Sequence, residues 1–346
     1  MGSRRCSFER PIRRVAVVGG THGNELHGLF LVREMEEHLT SGLIRSRYPS
    51  LSLQTLVANP AAVVATGTGQ GRRYVERDLN RCFLLSDLEN NDGSKTLEDR
   101  RAREIDQLLG PKSSPDPATD FIIDLHSTTA NTGVLILCHP DDLVTVSVAH
   151  ALRKKYSEVS LGLWSQGELP LLPTVGRSGL TLEVGAIAHS TTVMRLYSLT
   201  KSVLFDMLGV LEEHNARLML PNPPPLLSAN VDAAQRYCAV GFPRNEKGNI
   251  VGFIHPSIQG MLELSENSYV FKTSPIFELL NGEILTLENC SRYCQVDYAS
   301  ECFEQSQIRL FPQFINEAAY YEKNIAMLLT TMVTIKTKAY EMSTDK

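Results

Sequence analysis

The sequence predicts an α/β fold: a mainly parallel sheet flanked by helices, followed by a smaller β-rich C-terminal unit. Three observations predict it. Short β-branched runs alternate with helix-patterned stretches over the first two thirds of the chain, as in parallel sheets covered on both faces. Four prolines, Pro221, Pro223, Pro224 and Pro225, then interrupt the pattern. After them come short strands set off by turn signals such as Asn281-Gly282. A boundary near Pro221 divides a unit 1–218 from a β-rich unit 219–346.

Val15–Gly19 (VAVVG) reads as a buried strand running into a tight turn. Gly28–Leu39 carries Leu29, Val32, Met35 and Leu39 at helical spacing and ends near Gly42. Leu51–Ala58 is a second strand, stopped by Asn59-Pro60. Thr66–Gly71 is Gly-rich and must be a loop. Leu97–Leu109 is a charged amphipathic helix closed by Gly110-Pro111. Phe121–Leu125 and Gly133–Cys138 are the third and fourth strands, and Leu143–Tyr156 reads as helix. Gly179–Val184 is the fifth strand, and Val193–Asn215 a long helix. In the β-rich unit only Asn316–Glu322 hints at a helical turn.

The 346 residues are 42% hydrophobic and 21% charged, which supports a packed core and excludes global disorder. Lys+Arg number 34 against Asp+Glu 39, a net charge of -5, which argues against a nucleic-acid binder. No apolar run approaches the roughly 18 residues of a membrane span. The N-terminus MGSRRCSFERPIRR has no apolar core of a secretory signal, and Cys6 stands where a myristoylation signal needs Ser or Thr. Seven cysteines, an odd number, read as reduced thiols of a cytoplasmic protein. Cys290, Cys294 and Cys302 raise a structural zinc site as an alternative, but their spacing lacks a second close ligand pair.

The polar residues that could carry chemistry follow strand ends, where open α/β sheets place their sites. His22 and Glu25, three apart in Gly-Gly-Thr-His-Gly-Asn-Glu (19–25), offer one imidazole and one carboxylate to a single point. The plainer alternative is a helix start with an acidic residue on its dipole. His126 ends the third strand in Asp124-Leu125-His126-Ser127-Thr128-Thr129. Two histidines and a glutamate leave a fourth position open, the pattern of a catalytic zinc rather than a structural one. Asp124 either orders His126 or helps end the strand. Glu183 lies in an apolar frame (Leu180, Leu182, Val184), costly for a carboxylate without a role or partner. It reads as general base and acid, or as the ion-pair partner of Arg177 or Arg195. Arg72, Arg73, Arg77 and Arg81 within ten residues read as carboxylate recognition or as a solvated basic loop. The Gly-rich stretches match neither a phosphate loop nor a dinucleotide fingerprint.

As a set, GGTHGNE, RDLNR, DLHSTT, LEVG and INEAAYYEK resemble the aspartoacylase family in order and spacing. The closer branch is the N-acyl-aromatic-L-amino-acid amidohydrolases, or aminoacylase III. The resemblance covers nearly the whole chain. It implies a zinc-carboxypeptidase-like α/β domain and a β-rich domain that narrows the site entrance. It further implies one Zn2+ per subunit held by His22, Glu25 and His126, with Glu183 as catalytic acid/base. Arg73 matches the arginine that polarises the scissile carbonyl. Asn80 and Arg81 match the pair that holds the substrate α-carboxylate, and Tyr320 matches a substrate-contacting tyrosine. The implied partner is a small-molecule N-acyl amino acid, with no nucleic acid and no membrane span; a homo-oligomer is expected.

Three departures bear on substrate range. Ser127 replaces the family's Asn, Gly185-Ala186-Ile187-Ala188-His189 replaces a Gly-Pro-Gln-Pro-Gln-Gly stretch, and Ser291–Ile308 is longer than the family's loop. Aspartoacylases proper also carry an arginine ten residues before the catalytic glutamate, where this chain has Pro173. The expected activity is therefore deacylation of N-acetyl aromatic amino acids or N-acetylcysteine S-conjugates (mercapturates), with N-acetylaspartate as the alternative substrate. Arg177 could supply the missing charge. A carboxypeptidase and a non-catalytic metal-fold binding protein are the competing readings.

Overall fold

In the computed structural model, the structure describes residues 6–64, 71–89, 95–299 and 308–340. Most of the Gly-rich stretch after Ala65, Cys302 and part of the Ser291–Ile308 segment lie outside them. The first half contains β1 (Arg14–Gly19), α1 (Leu26–Thr40), α2 (Leu43–Arg47), β2 (Ser52–Val57) and α3 (Pro60–Val64). It continues with α4 (Leu85–Glu89), α5 (Leu97–Leu109), β3 (Phe121–Ser127), β4 (Gly133–Cys138) and α6 (Leu143–Lys155). Then come β5 (Val159–Leu163), β6 (Ser178–Gly185), α7 (Met194–Leu218) and β7 (Leu227–Gly241). The chain ends with β8 (Gly252–Ile254), β9 (Pro275–Leu279), β10 (Ile284–Thr286), β11 (Val296–Tyr298), β12 (Phe311–Gln313) and β13 (Ile325–Ala339).

The large sheet runs β12-β13-β7-β5-β4-β6-β3-β1-β2, with β11 also paired to β7. β2, β1, β3 and β6 are parallel neighbours, and β4 runs antiparallel to β6. β3 is buried along its whole length, its apolar start Phe121–Ile123 leading into the buried polar residues Asp124, His126 and Ser127. Helices α1, α6 and α7 cover the main core, built on Val15, Val17, Leu31, Met35, Ile123, Val148 and Leu204. α5 starts on a capping box between Thr96 and Asp99, the local reason its predicted boundaries coincide with the observed ones. Among the described residues, no helix is long and apolar enough to cross a membrane.

The expected mainly parallel sheet is present, and it extends beyond the proline-rich stretch. β7 pairs antiparallel with β13 and meets β5 at Gly162 and Ala234, so C-terminal strands prolong the same sheet. A second core around Phe242, Ile276, Phe277 and Leu285 sits under the separate antiparallel sheet β10-β9-β8. Sequence patterning misses β5, because VSLGL is short and carries Ser and Gly. It also misses the length of β7, where Ala, Asn, Asp and Gln blur alternation and long-range pairing decides the outcome.

Candidate active site

Close backbone contact brings the first site segment into place. A Cβ on Gly19 would meet Gly28 O at 2.3 Å, and one on Gly28 would meet Leu125 O at 2.6 Å. Glycine at both positions lets α1 lie directly on β1 and β3, with His22 and Glu25 in the turn between β1 and α1. His126 and Glu183 are register partners on adjacent parallel strands β3 and β6. Seven predicted residues, His22, Glu25, Arg73, Asn80, Arg81, Glu183 and Tyr320, line one cavity. The eighth, His126, lies within hydrogen-bonding distance of both His22 and Glu25.

The side chains of His22, Glu25 and His126 converge on one point. His22 Nδ1 lies 2.6 Å from Glu25 Oε1, and His126 Nδ1 lies 2.9 Å from Glu25 Oε2 and 3.1 Å from His22 Nδ1. The far nitrogens are engaged by carboxylates: His22 Nε2 with Asp78 Oδ1 at 3.0 Å, and His126 Nε2 with Asp124 Oδ2 at 2.8 Å. Carboxylates accept only, so when a metal takes the two Nδ1 atoms the far nitrogens are the ones that donate, to Asp78 and Asp124. Two imidazole nitrogens and a carboxylate that converge on one point form a donor set suited to a cation. Burial opposes charge on His126, yet Asp124 and Glu25 outweigh it and raise its pKa well above the usual imidazole value. Burial would raise Glu25, but the two imidazoles hold it well below the carboxylate range. Tetrahedral zinc with bonds near 2.05 Å spaces its ligand atoms about 3.3 Å apart, so this donor set fits zinc after a slight expansion. Among the described residues, this is the one group of three His, Cys, Asp or Glu placed to hold a metal. Cys290 and Cys294 instead pack in the second core.

The arginine loop is held from behind. Glu98, fully buried on α5, accepts the N–H groups of Val75, Glu76 and Arg77 at 2.7–3.1 Å. Arg73 donates to Glu25 at 3.0 Å and to Asp78 at 3.3 Å, while its buried Nε has no partner among the described residues. Asn80 Oδ1 accepts the Leu172 N–H at 2.9 Å, which leaves its Nδ2 donor for the cavity. Glu183 pairs with neither Arg177 nor Arg195. Burial, reinforced by Glu25 and only partly offset by His126, pushes its carboxyl up to about 8.

Five contributors, the cavity-lining Ala319 among them, escape sequence reasoning. Asp78 supports His22 and caps the Leu79–Arg81 turn through Asn80 N–H; it stood in RDLNR with no role attached. Thr128, Phe314 and Glu317 also line the cavity. Glu317 accepts the Thr129 N–H at 2.8 Å and bonds the Thr128 hydroxyl, tying the INEAAYYEK segment to DLHSTT. Ser127 lines the cavity too, its buried hydroxyl unpaired among the described residues while its N–H donates to Glu25 at 3.1 Å. Arg177 does not reach the site. It precedes β6 and pairs with Asp116 and Asp120, about 20 Å along the strand from Glu183. Pro173 is buried in the turn Leu172–Val175, packed against Gly179.

Residues 11–203, more than half the chain, match the family described as succinylglutamate desuccinylase/aspartoacylase catalytic domain. A probable aspartoacylase from Nostoc is 36% identical over 322 residues, covering 92% of this chain and 96% of that protein. A Homo sapiens N-acyl-aromatic-L-amino acid amidohydrolase (carboxylate-forming) is 34% identical over 343 residues, covering 96% of each. The crystal structure of murine aminoacylase 3 superposes with a TM-score of 0.78 at 30% identity, covering 96% of this chain and 99% of that one. A succinylglutamate desuccinylase from Chromobacterium violaceum, at 16% identity and TM-score 0.57, covers 94% of this chain and 86% of that one and shares the fold. The chain therefore belongs to the succinylglutamate desuccinylase/aspartoacylase family.

Proposed function

We propose that this amide-hydrolysing enzyme is a zinc-dependent N-acyl-L-amino-acid amidohydrolase with one Zn2+ per subunit, held by His22, Glu25 and His126. The convergence of two Nδ1 atoms and a carboxylate beside the protonatable Glu183 carries this reading. A zinc ion held by these three residues would supply Lewis-acid chemistry, acidifying water and polarising a carbonyl. Glu183 takes the proton of the attacking water and passes it to the leaving nitrogen. Arg73, anchored by Glu25 and Asp78, lines the cavity and offers its positive charge to the developing negative charge on the carbonyl oxygen. Arg81 and Asn80 Nδ2 hold the α-carboxylate, and Tyr320 contacts the substrate from the opposite wall.

The fit predicts that Asp124→Asn weakens metal affinity about ten- to hundredfold, because a neutral amide, even with its oxygen on His126 Nε2–H, removes the negative charge that makes the imidazole a stronger donor. Competition against a calibrated zinc chelator measures this, and unchanged affinity contradicts the assignment of His126.

Preferred substrates in this reading are N-acetyl aromatic amino acids or N-acetylcysteine S-conjugates. The human relative's name supports it, whereas the Nostoc relative's name favours the alternative, N-acetylaspartate. The unit 219–346 narrows the entrance: Phe314, Ala319 and Tyr320 line the cavity, and Tyr74 Oη donates to Glu322 at 2.7 Å across its rim. An N-acetyl amino acid is therefore expected to be cleaved at least about tenfold faster than a blocked dipeptide, judged by kcat/KM; the reverse order favours a carboxypeptidase. The odd count of seven cysteines supports a cytoplasmic address.

A further inference from the structure

Glu263 is a buried carboxylate outside the cavity, on the segment between β8 and β9, and the chemistry above does not use it. Its Oε2 accepts the Phe314 N–H at 2.8 Å and its Oε1 the Ile315 N–H at 2.7 Å. Its own N–H donates to Asn131 O at 2.9 Å, and Asn131 Nδ2 donates to Gly260 O at 3.0 Å. The segment 260–263 thus clasps two walls of the cavity: the turn after His126 and the strap that begins at Phe314.

The strap needs such a clasp. The β12–β13 ladder ends at Gln313 and Leu328. Beyond it the backbone turns through Phe314 at φ 54° and Asn316 at φ 56°, left-handed values that side chains other than glycine disfavour. The Phe314 and Ile315 N–H groups leave the ladder inside the protein, where an unpaired donor is costly. Glu263 satisfies both. The cavity-lining Phe314 and Tyr320 follow from this turn, with their rings 5.4 Å apart.

We propose that Glu263 is a positioning residue for substrate: by fixing the Phe314–Ile315 backbone it sets the aromatic residues Phe314 and Tyr320 that share the cavity with Arg73 and Arg81. The proposal rests on the amidohydrolase reading above. Glu263 is not hydrogen-bonded to His22, Glu25, His126 or Glu183, so its loss weakens substrate binding and spares the chemical step.

Glu263→Gln keeps the size and one acceptor, and turns the other into an N–H2 group facing a backbone N–H. The zinc-loaded variant should raise KM for the preferred N-acetyl amino acid about tenfold, with kcat within about threefold of wild type. Hydrogen exchange of the peptide covering Phe314–Tyr320 should accelerate about tenfold or more, with β1, β3 and β6 unchanged. Glu263→Ala, which removes both acceptors, should exceed Glu263→Gln in both respects; if it fails to fold, Glu263→Gln alone decides. Unchanged KM, a fall in kcat with KM constant, or exchange that accelerates throughout the chain overturns the proposal. A wild-type enzyme that hydrolyses no N-acyl amino acid overturns the reading on which it rests, before any variant is made.

Discussion

Glu183→Gln is expected to lower kcat by about two to four orders of magnitude while the protein keeps its zinc. The register of β3 and β6 puts residue 183 beside His126 and in the cavity, outside the set of three ligand atoms. Burial pushes its carboxyl up to about 8, so it exchanges a proton readily near neutral pH. A glutamine of the same shape can neither accept the water's proton nor return it to the leaving nitrogen. Single-turnover hydrolysis of N-acetyltyrosine, run beside metal analysis of the same sample, measures the effect. Near-wild-type turnover by folded, zinc-loaded Glu183→Gln removes Glu183 from the acid/base role.

N-acetyltyrosine and S-benzyl N-acetylcysteine are expected to exceed N-acetylaspartate in kcat/KM by about ten- to hundredfold. By the resemblance to aspartoacylases, Pro173, ten residues before Glu183, stands where those proteins carry an arginine, and it has no charge and no N–H. Arg177 is committed to Asp116 and Asp120 at the opposite end of β6. A substrate β-carboxylate therefore forgoes a charge-assisted pair worth about 1.5–3 kcal/mol, whereas an aromatic side chain loses nothing. The same three substrates measured side by side decide the matter. A tenfold advantage for N-acetylaspartate contradicts the Pro173 argument, and Arg177→Ala then shows whether Arg177 shifts to supply the charge.

Legibility in the sequence followed the range of the interactions. His22 and Glu25 are three residues apart and Asp124 and His126 two apart on one face of a strand, so local geometry alone brought these groups forward as candidates. Arg73, Asn80, Arg81 and Tyr320 took their roles from the family resemblance, and the structure brings them to one cavity. Asp78, 56 residues from His22, escaped because nothing local distinguishes a supporting carboxylate from a turn-capping one. Glu263 stands in no motif, and its partners at Phe314 and Ile315 are backbone groups, which carry no residue code. The fold shows the same division. α5 is bounded by its own caps and was read to the residue, whereas β5 and the full length of β7 depend on neighbours that the local pattern does not name.

The central claim is that a metal held by His22, Glu25 and His126 enables hydrolysis of N-acyl amino acids. The most direct measurement is turnover of N-acetyltyrosine before chelation, after chelation, and after Zn2+ is returned. The account predicts a fall of about a hundredfold or more on chelation and recovery at one equivalent of Zn2+ per chain. Turnover indifferent to chelation, or absent from fully zinc-loaded protein across aromatic, cysteine-conjugate and aspartate substrates, contradicts it.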